Sequence, residues 1–272
     1  SDLTGIQSRL EAADAVLVVG AEVSDAVLYN GGRALQFIGP VVRIDIDPDQ
    51  LGRRMTPAVG IVADASAALT ALAEALPQGA RAGAERAAEW RATWQAGIPA
   101  RLAPWLEAFA AATPPDAIVA LDSTQLAYSA HLTVPCERPR SWLAPYGLGT
   151  LGCALPMAIG AAIAAPERPV LALAGDGGWL FTVAEMATAT DLQLGVVLVL
   201  WDNRGYAQIR QSFDDADAPR MGVDVSSHDP EAIARGFGWA TSTVREPGEL
   251  APAVAAACAA GGPHMVRIVV PA

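Results

Sequence analysis

Residues 169–206, PVLALAGDGGWLFTVAEMATATDLQLGVVLVLWDNRGY, decide the fold. Two apolar runs of strand length, 169–174 and 194–200, bracket a segment patterned as a helix over 180–189. Each run ends in carboxylate or amide side chains: Asp176 after the first, Asp202 and Asn203 after the second. Strands joined through a helix run parallel, so both ends open on the same carboxyl edge of a sheet, where open α/β sheets bind ligands. Gly175, Gly177 and Gly178 let backbone amides come close to a ligand just before a helix, a favourable place for phosphate. Asp and Asn oxygens beside a phosphate are hard ligands suited to Mg²⁺. The stretch therefore predicts a metal-bridged diphosphate.

Composition narrows the field. With 272 residues, 52% of them hydrophobic, the chain can bury a sizeable core. The absence of an apolar run of about 18 residues argues against a membrane span. The net charge of −11 argues against a nucleic-acid footprint. Cys136, Cys153 and Cys258 are scattered without metal or disulfide spacing, and no leader-like pattern opens the chain, so a cytoplasmic location is expected. All 18 basic residues are arginine. Without lysine there is neither a Schiff-base amine for pyridoxal phosphate nor a P-loop. A nicotinamide Rossmann protein needs GxGxxG after its first strand, and Gly20-Ala21-Glu22 does not supply it.

The spacing of 27 residues between Asp176 in GDG and Asn203 resembles the thiamine diphosphate (ThDP) motif of the acetolactate synthase and 2-oxo acid decarboxylase family. GLGTLGCALPMAIGAA (147–162) is similar to that family's glycine-rich turn and helix, while DSTQ (122–125) and NRGYAQIR (203–210) resemble its guanidino-oxo-acid decarboxylase branch. The resemblance implies a doubly wound α/β fold with a mostly parallel sheet and helices on both faces, preceded by a partial nucleotide-fold middle domain. The expected domains are 1–80 (latter part of the middle domain), 81–97 (a linker with a helical middle) and 98–272 (the diphosphate-binding domain). About half of the family's usual length is covered.

The same resemblance assigns roles. Mg²⁺ would be held by Asp176, Asn203 and the Gly205 carbonyl; the cofactor would be bound by Thr124, Gln125, Gly149, Leu151, Gly175, Gly177, Gly178 and Tyr206 besides. The Gly149 carbonyl would accept from the aminopyrimidine, and Leu151, 25 residues before Asp176, would be the apolar wedge that bends the cofactor. Leu151 also reads as a core residue at a helix start, and 122–125 also reads as an ordinary strand-end turn. Leu126 stands where the acetolactate synthase pattern has histidine, and Asp202 where asparagine is usual.

Other candidates read better as structure. Asp45, Asp47 and Asp49 lack the glycine and distal glutamate of a calcium loop. Glu185, Trp179 and Met186 read as helix and core residues. His131, His228 and His264 lack the spacing of a metal site or triad. Asp214, Asp215 and Asp217 read first as a solvated loop and second as a lure for a cationic guanidino 2-oxo acid. The implied function is ThDP- and Mg²⁺-dependent decarboxylation of a small 2-oxo acid through an enamine. A carboligase of the acetolactate synthase kind and a non-catalytic assembly module are the alternatives. The glutamate that activates the cofactor in the family lies on a pyrimidine-binding domain not found here. A partner domain or subunit is therefore expected, in a homo- or hetero-oligomer with two-fold symmetry.

Overall fold

A computed structural model describes residues 4–23, 29–30, 33–77, 83–224 and 228–270. The chain divides into two compact units, residues 1–98 and 99–272. The expected boundary at 80/81 lies outside the described residues.

In the first unit, β1 (Val16–Val19), β4 (Val41–Asp45) and β5 (Val59–Val62) form a three-stranded parallel sheet in the order β1-β4-β5. Between β1 and β4 lies a pair of two-residue antiparallel strands, β2 (Tyr29–Asn30) with β3 (Arg33–Ala34). The DPDQ segment after β4 behaves as a capped turn. Asp47 accepts from the Asp49 amide (2.9 Å) and opens helix α2 (Pro48–Leu51). Helix α3 (Ala65–Ala75) follows β5 and is capped by Asp64. The stretch read as a linker carries helix α4 (Gly83–Gln95), which packs on α1 (Thr4–Glu11). Arg9 bonds Glu89 (2.9 Å) and Thr93 (3.0 Å) and stacks over Trp90.

The second unit is doubly wound. Its strands are β6 (Ile118–Leu121), β7 (Trp142–Leu143), β8 (Val170–Gly175), β9 (Val196–Asp202), β10 (Ala240–Val244) and β11 (His264–Val269). They pair in the order β10-β11-β9-β8-β6-β7, every pair parallel. The continuous apolar runs are explained by burial on both faces, since every residue of β6 and β9 is buried. One face packs on α7 (Ala154–Ala164), α9 (Glu185–Asp191) and α11 (Pro230–Gly236). The other carries α5 (Ala103–Ala112), α6 (Gln125–Thr133) and α12 (Leu250–Ala260). The chain leaves β6 toward the α6 face and β8 toward the α9 face. A crevice therefore opens between their carboxyl ends, at the switch point of the winding.

Three local differences from the sequence reading have physical causes. The helix after β8 begins at once, as α8 (Asp176–Trp179), then tightens to a 3₁₀ turn at Leu180–Thr182 before α9. Strand β7 and helix α6 are too short or too weakly patterned to announce themselves. Asp214 and Asp215 end helix α10 (Ala207–Asp215), where Arg220 grips Asp214 through two bonds (2.7 and 2.6 Å). None of the described helices is long and apolar enough to cross a membrane.

Asp202 ends β9 almost fully buried, and Arg267 of β11 reaches it with two bonds to one oxygen, 2.8 and 2.5 Å. Removing one member of a buried pair strands the other charge. Arg267→Met should therefore cost about 3–5 kcal/mol in urea unfolding, with part recovered in the Asp202→Asn, Arg267→Met double variant. A single-variant loss below about 1 kcal/mol would mark the pair as an ordinary solvated one.

Candidate active site

The register of β8 on β9 builds the site. Gly175 lies opposite Trp201, so the next residues, Asp176 and Asp202-Asn203, emerge side by side. On the other flank Leu121 of β6 lies opposite Leu173, which delivers Asp122 and the 123–125 segment to the same edge. A cavity of about 210 Å³ opens there. It is lined by Thr124, Gln125, Gly149, Leu151, Gly175, Asp176, Gly177, Gly178, Asn203, Gly205 and Tyr206, every residue proposed from sequence, together with Ser123, Tyr128 and residues 207–209.

The turn after β9 is shaped by strain and clamped by an arginine. Arg204 has φ of 58° and Gly205 133°, which a glycine adopts freely and an arginine rarely. Arg210 offsets that cost by donating to the carbonyls of Asn203 (2.7 Å) and Arg204 (3.2 Å). The turn aims the Gly205 amide at Asp176 Oδ2, 2.7 Å away. Asn203 is satisfied when its amide nitrogen faces Asp176 Oδ1 (3.3 Å) and the Gly205 carbonyl (2.9 Å) while its oxygen accepts from Trp201 Nε1 (3.2 Å). Burial, then the charge of Asp202, pushes the Asp176 carboxyl up to about 6. The site thus holds an anion at a cost that a cation would relieve.

The glycines of GDGG serve the chain itself as much as any ligand. A Cβ on Gly175 would lie 2.7 Å from Thr124 Oγ1, on Gly177 2.7 Å from Tyr206 Cε1, and on Gly178 3.0 Å from Asp122 Oδ2. Three neighbouring segments fill the space that side chains would take. Gln125 opens α6, and its Oε1 accepts from Arg101 Nη1 (3.1 Å).

Gly149 and Leu151 belong to a loop anchored from both ends. Upstream, Trp142 Nε1 donates to His131 Nδ1 (2.9 Å) and the Tyr146 hydroxyl lies 3.2 Å from the same nitrogen. Burial lowers the His131 pKa, which keeps its ring neutral and its Nδ1 able to accept. No spacing rule pointed to this role for His131, because its partners are 11 and 15 residues away on an irregular loop. Glu185, by contrast, bonds Thr188 within its own helix and does not line the cavity. Asp214, Asp215 and Asp217 do not line it either. Among the described residues no three His, Cys, Asp or Glu side chains gather into a metal site.

Comparison with known proteins gives the family. Residues 122–268 match the model of the thiamine pyrophosphate enzyme C-terminal TPP binding domain, and residues 4–72 match that of the central domain. A Pseudomonas aeruginosa protein named "Probable 2-ketoarginine decarboxylase" is 38% identical over 246 residues, covering 88% of this chain and 43% of its own. Escherichia coli acetolactate synthase isozyme 1 large subunit is 34% identical over 212 residues (74% of this chain, 37% of its own). Benzoylformate decarboxylase of P. aeruginosa is 30% identical over 269 residues (98% and 50%). The solved structure of Rhodococcus jostii RHA1 thiamine diphosphate-dependent 4-hydroxybenzoylformate decarboxylase superposes with a TM-score of 0.78 at 23% identity, over 98% of this chain and 50% of that one. The chain thus spans half or less of the length of these relatives. The chain belongs to the thiamine pyrophosphate enzymes.

Proposed function

We propose that this chain holds the diphosphate end of thiamine diphosphate through Mg²⁺ and forms one side of a composite active site for 2-oxo acid decarboxylation. The reading is carried by one observation: Asp176, Asn203 and Gly205 converge on the wall of the same cavity that Gln125, Gly149 and Leu151 line. The donor set fits the ion. It offers one carboxylate, one amide oxygen and one backbone carbonyl, all hard oxygens of the kind that would hold Mg²⁺. Turning the Asn203 amide about would set its oxygen 3.3 Å from Asp176 Oδ1 and 2.9 Å from the Gly205 carbonyl. Three converging oxygens repel one another unless a cation lies among them.

When bound, the cofactor's thiazolium ring supplies the electron sink that lets a 2-oxo acid lose CO₂. The chain's own residues do the rest. Gln125 would donate to the phosphate oxygens, the Gly149 carbonyl would accept a hydrogen bond from the aminopyrimidine, and the apolar Leu151 side chain would pack against the cofactor. Tyr128 and Ile209, both about half exposed on the cavity wall, and Tyr146, Leu148 and Phe181, exposed on bordering segments, are left for a second polypeptide surface to cover. In this reading that surface is the pyrimidine-binding domain that carries the activating glutamate, in a two-fold oligomer, and the protein works in the cytoplasm. Decarboxylation is preferred because DSTQ, NRGYAQIR and the 38%-identical relative named as a 2-ketoarginine decarboxylase agree. The similarity to acetolactate synthase keeps carboligation as the second reading.

Calorimetry on residues 1–272 should show ThDP binding that requires Mg²⁺ and disappears with EDTA, and no turnover of a panel of 2-oxo acids until a pyrimidine-binding partner is added. Binding indifferent to EDTA, or robust turnover by this chain alone, would contradict the proposal. Asp176→Asn should abolish that binding yet stabilise the ligand-free chain. The raised carboxyl, about 6 against 3.8, corresponds to at most about 3 kcal/mol held against the folded state. Because the folded value lies above the unfolded one, this penalty is complete above about pH 6 and fades as pH falls toward 4. The advantage of asparagine in urea unfolding should shrink across the same window; a variant no more stable than wild type at pH 7.5 would argue against a strained Asp176.

A further inference from the structure

Asp122 is almost fully buried behind the cavity rather than on its wall, and nothing above gives it a role. Its carboxylate is the meeting point of three segments. The Ser123 amide donates to Oδ1 (2.7 Å) at the end of β6, and the Gly152 amide donates to both oxygens (3.0 and 2.9 Å) across 30 residues of chain. A Cβ on Gly178 of the GDGG turn would lie 3.0 Å from Oδ2, so that turn passes close against the carboxylate. The Gly152 amide nitrogen is bonded directly to the Leu151 carbonyl carbon, so Asp122 grips the very peptide unit that carries Leu151.

The grip is completed from the other side. Thr182 Oγ1 donates to the Gly152 carbonyl (2.6 Å), so both polar groups of Gly152 are taken. Gly152 has φ of 83°, and a Cβ there would lie 2.8 Å from Phe181 Cβ, so the residue has little freedom to shift. Gly149, at φ of 63°, donates its amide to the Pro145 carbonyl (2.8 Å). A charge-assisted bond to a backbone amide is stronger than a neutral one, and a buried carboxylate that lost its donors would be costly. The loop between Gly149 and Gly152 is thus fixed at both ends, and the carboxylate end is the stronger.

We infer that Asp122 is a positioning residue: it fixes the height of Leu151 in the cavity by clamping the Leu151–Gly152 peptide to the tip of β6, beside the GDGG turn. This inference rests on the cofactor reading for its functional meaning, but the clamp itself is testable without cofactor. In the ligand-free chain, Asp122→Ala should speed hydrogen exchange of the Gly152 amide by at least about tenfold while the Leu198 amide in β9 stays protected. Thr182→Val, which removes only the carbonyl side, should have a smaller effect in the same direction. Asp122→Asn, which preserves shape and one acceptor, serves if the alanine variant does not fold, with about a threefold effect expected. In calorimetry with ThDP and Mg²⁺, Asp122→Ala should weaken binding about tenfold in the wild-type background and by no more than about twofold on top of Leu151→Ala, because the two act through one another. Unchanged exchange at Gly152, or affinity losses that simply multiply, would overturn the inference. Wild-type chain that does not bind cofactor would count against the functional reading, and the exchange experiment would still decide the clamp.

Discussion

The parallel pairing of β8 with β9, with Gly175 opposite Trp201, is the constraint from which the rest of the site follows. A slip of one residue would turn each side chain to the opposite face and separate Asp176 from Asn203. Burial of both strands on both faces makes such a slip expensive, since it would exchange the two apolar layers that pack on α7, α9 and α11 and on α5, α6 and α12. The chemistry at the strand tips is therefore held in place by apolar packing far below it. The energetically unfavourable features, a buried carboxylate and a left-handed arginine, sit where that packing can support them.

A chain without lysine must do its cationic work with guanidinium groups, and their planar fork suits a particular task. Arg43, almost fully buried, donates to the carbonyls of Arg53 (2.7 Å) and Ala21 (3.1 Å). Arg168 bonds the carbonyls of Asp116 (2.8 Å) and Ala117 (3.2 Å) and the Ser141 hydroxyl (2.6 Å), tying the start of β6 to the segment that enters β7. Arg210 does the same for the turn after β9. In each case one side chain reaches two carbonyls, which a single ammonium does with less geometric control.

Much of this was legible in the sequence, for reasons that can be named. Continuous apolar runs at 169–174 and 194–200 announce strands buried on both faces, and the Asp and Asn that follow them announce a site at their tips. The cavity-lining set from Thr124 to Tyr206 was accessible because the family motif is a spacing along the chain. What escaped was set by contacts across the chain. Asp122 looked like the first letter of a strand-end turn, and only the fold reveals Gly152 as its partner. His131 looked like an isolated histidine until the 141–152 loop folded back over it. The acidic residues at 214–215 looked like a solvated loop, whereas they close a helix and one is matched by Arg220. Glycines of GDGG were read as making room for a ligand, and they prove also to make room for Thr124, Tyr206 and Asp122.

The central claim is that a divalent ion held between two neighbouring strand ends anchors a pyrophosphate. Crystals of the chain grown with thiamine diphosphate and Mn²⁺, measured near the manganese absorption edge, test it most directly. The account predicts one anomalous peak within coordination distance of Asp176, the Asn203 side-chain oxygen and the Gly205 carbonyl, contiguous with diphosphate density beside Gln125. An anomalous peak elsewhere on the molecule, or cofactor density with no ion between Asp176 and Asn203, would contradict it.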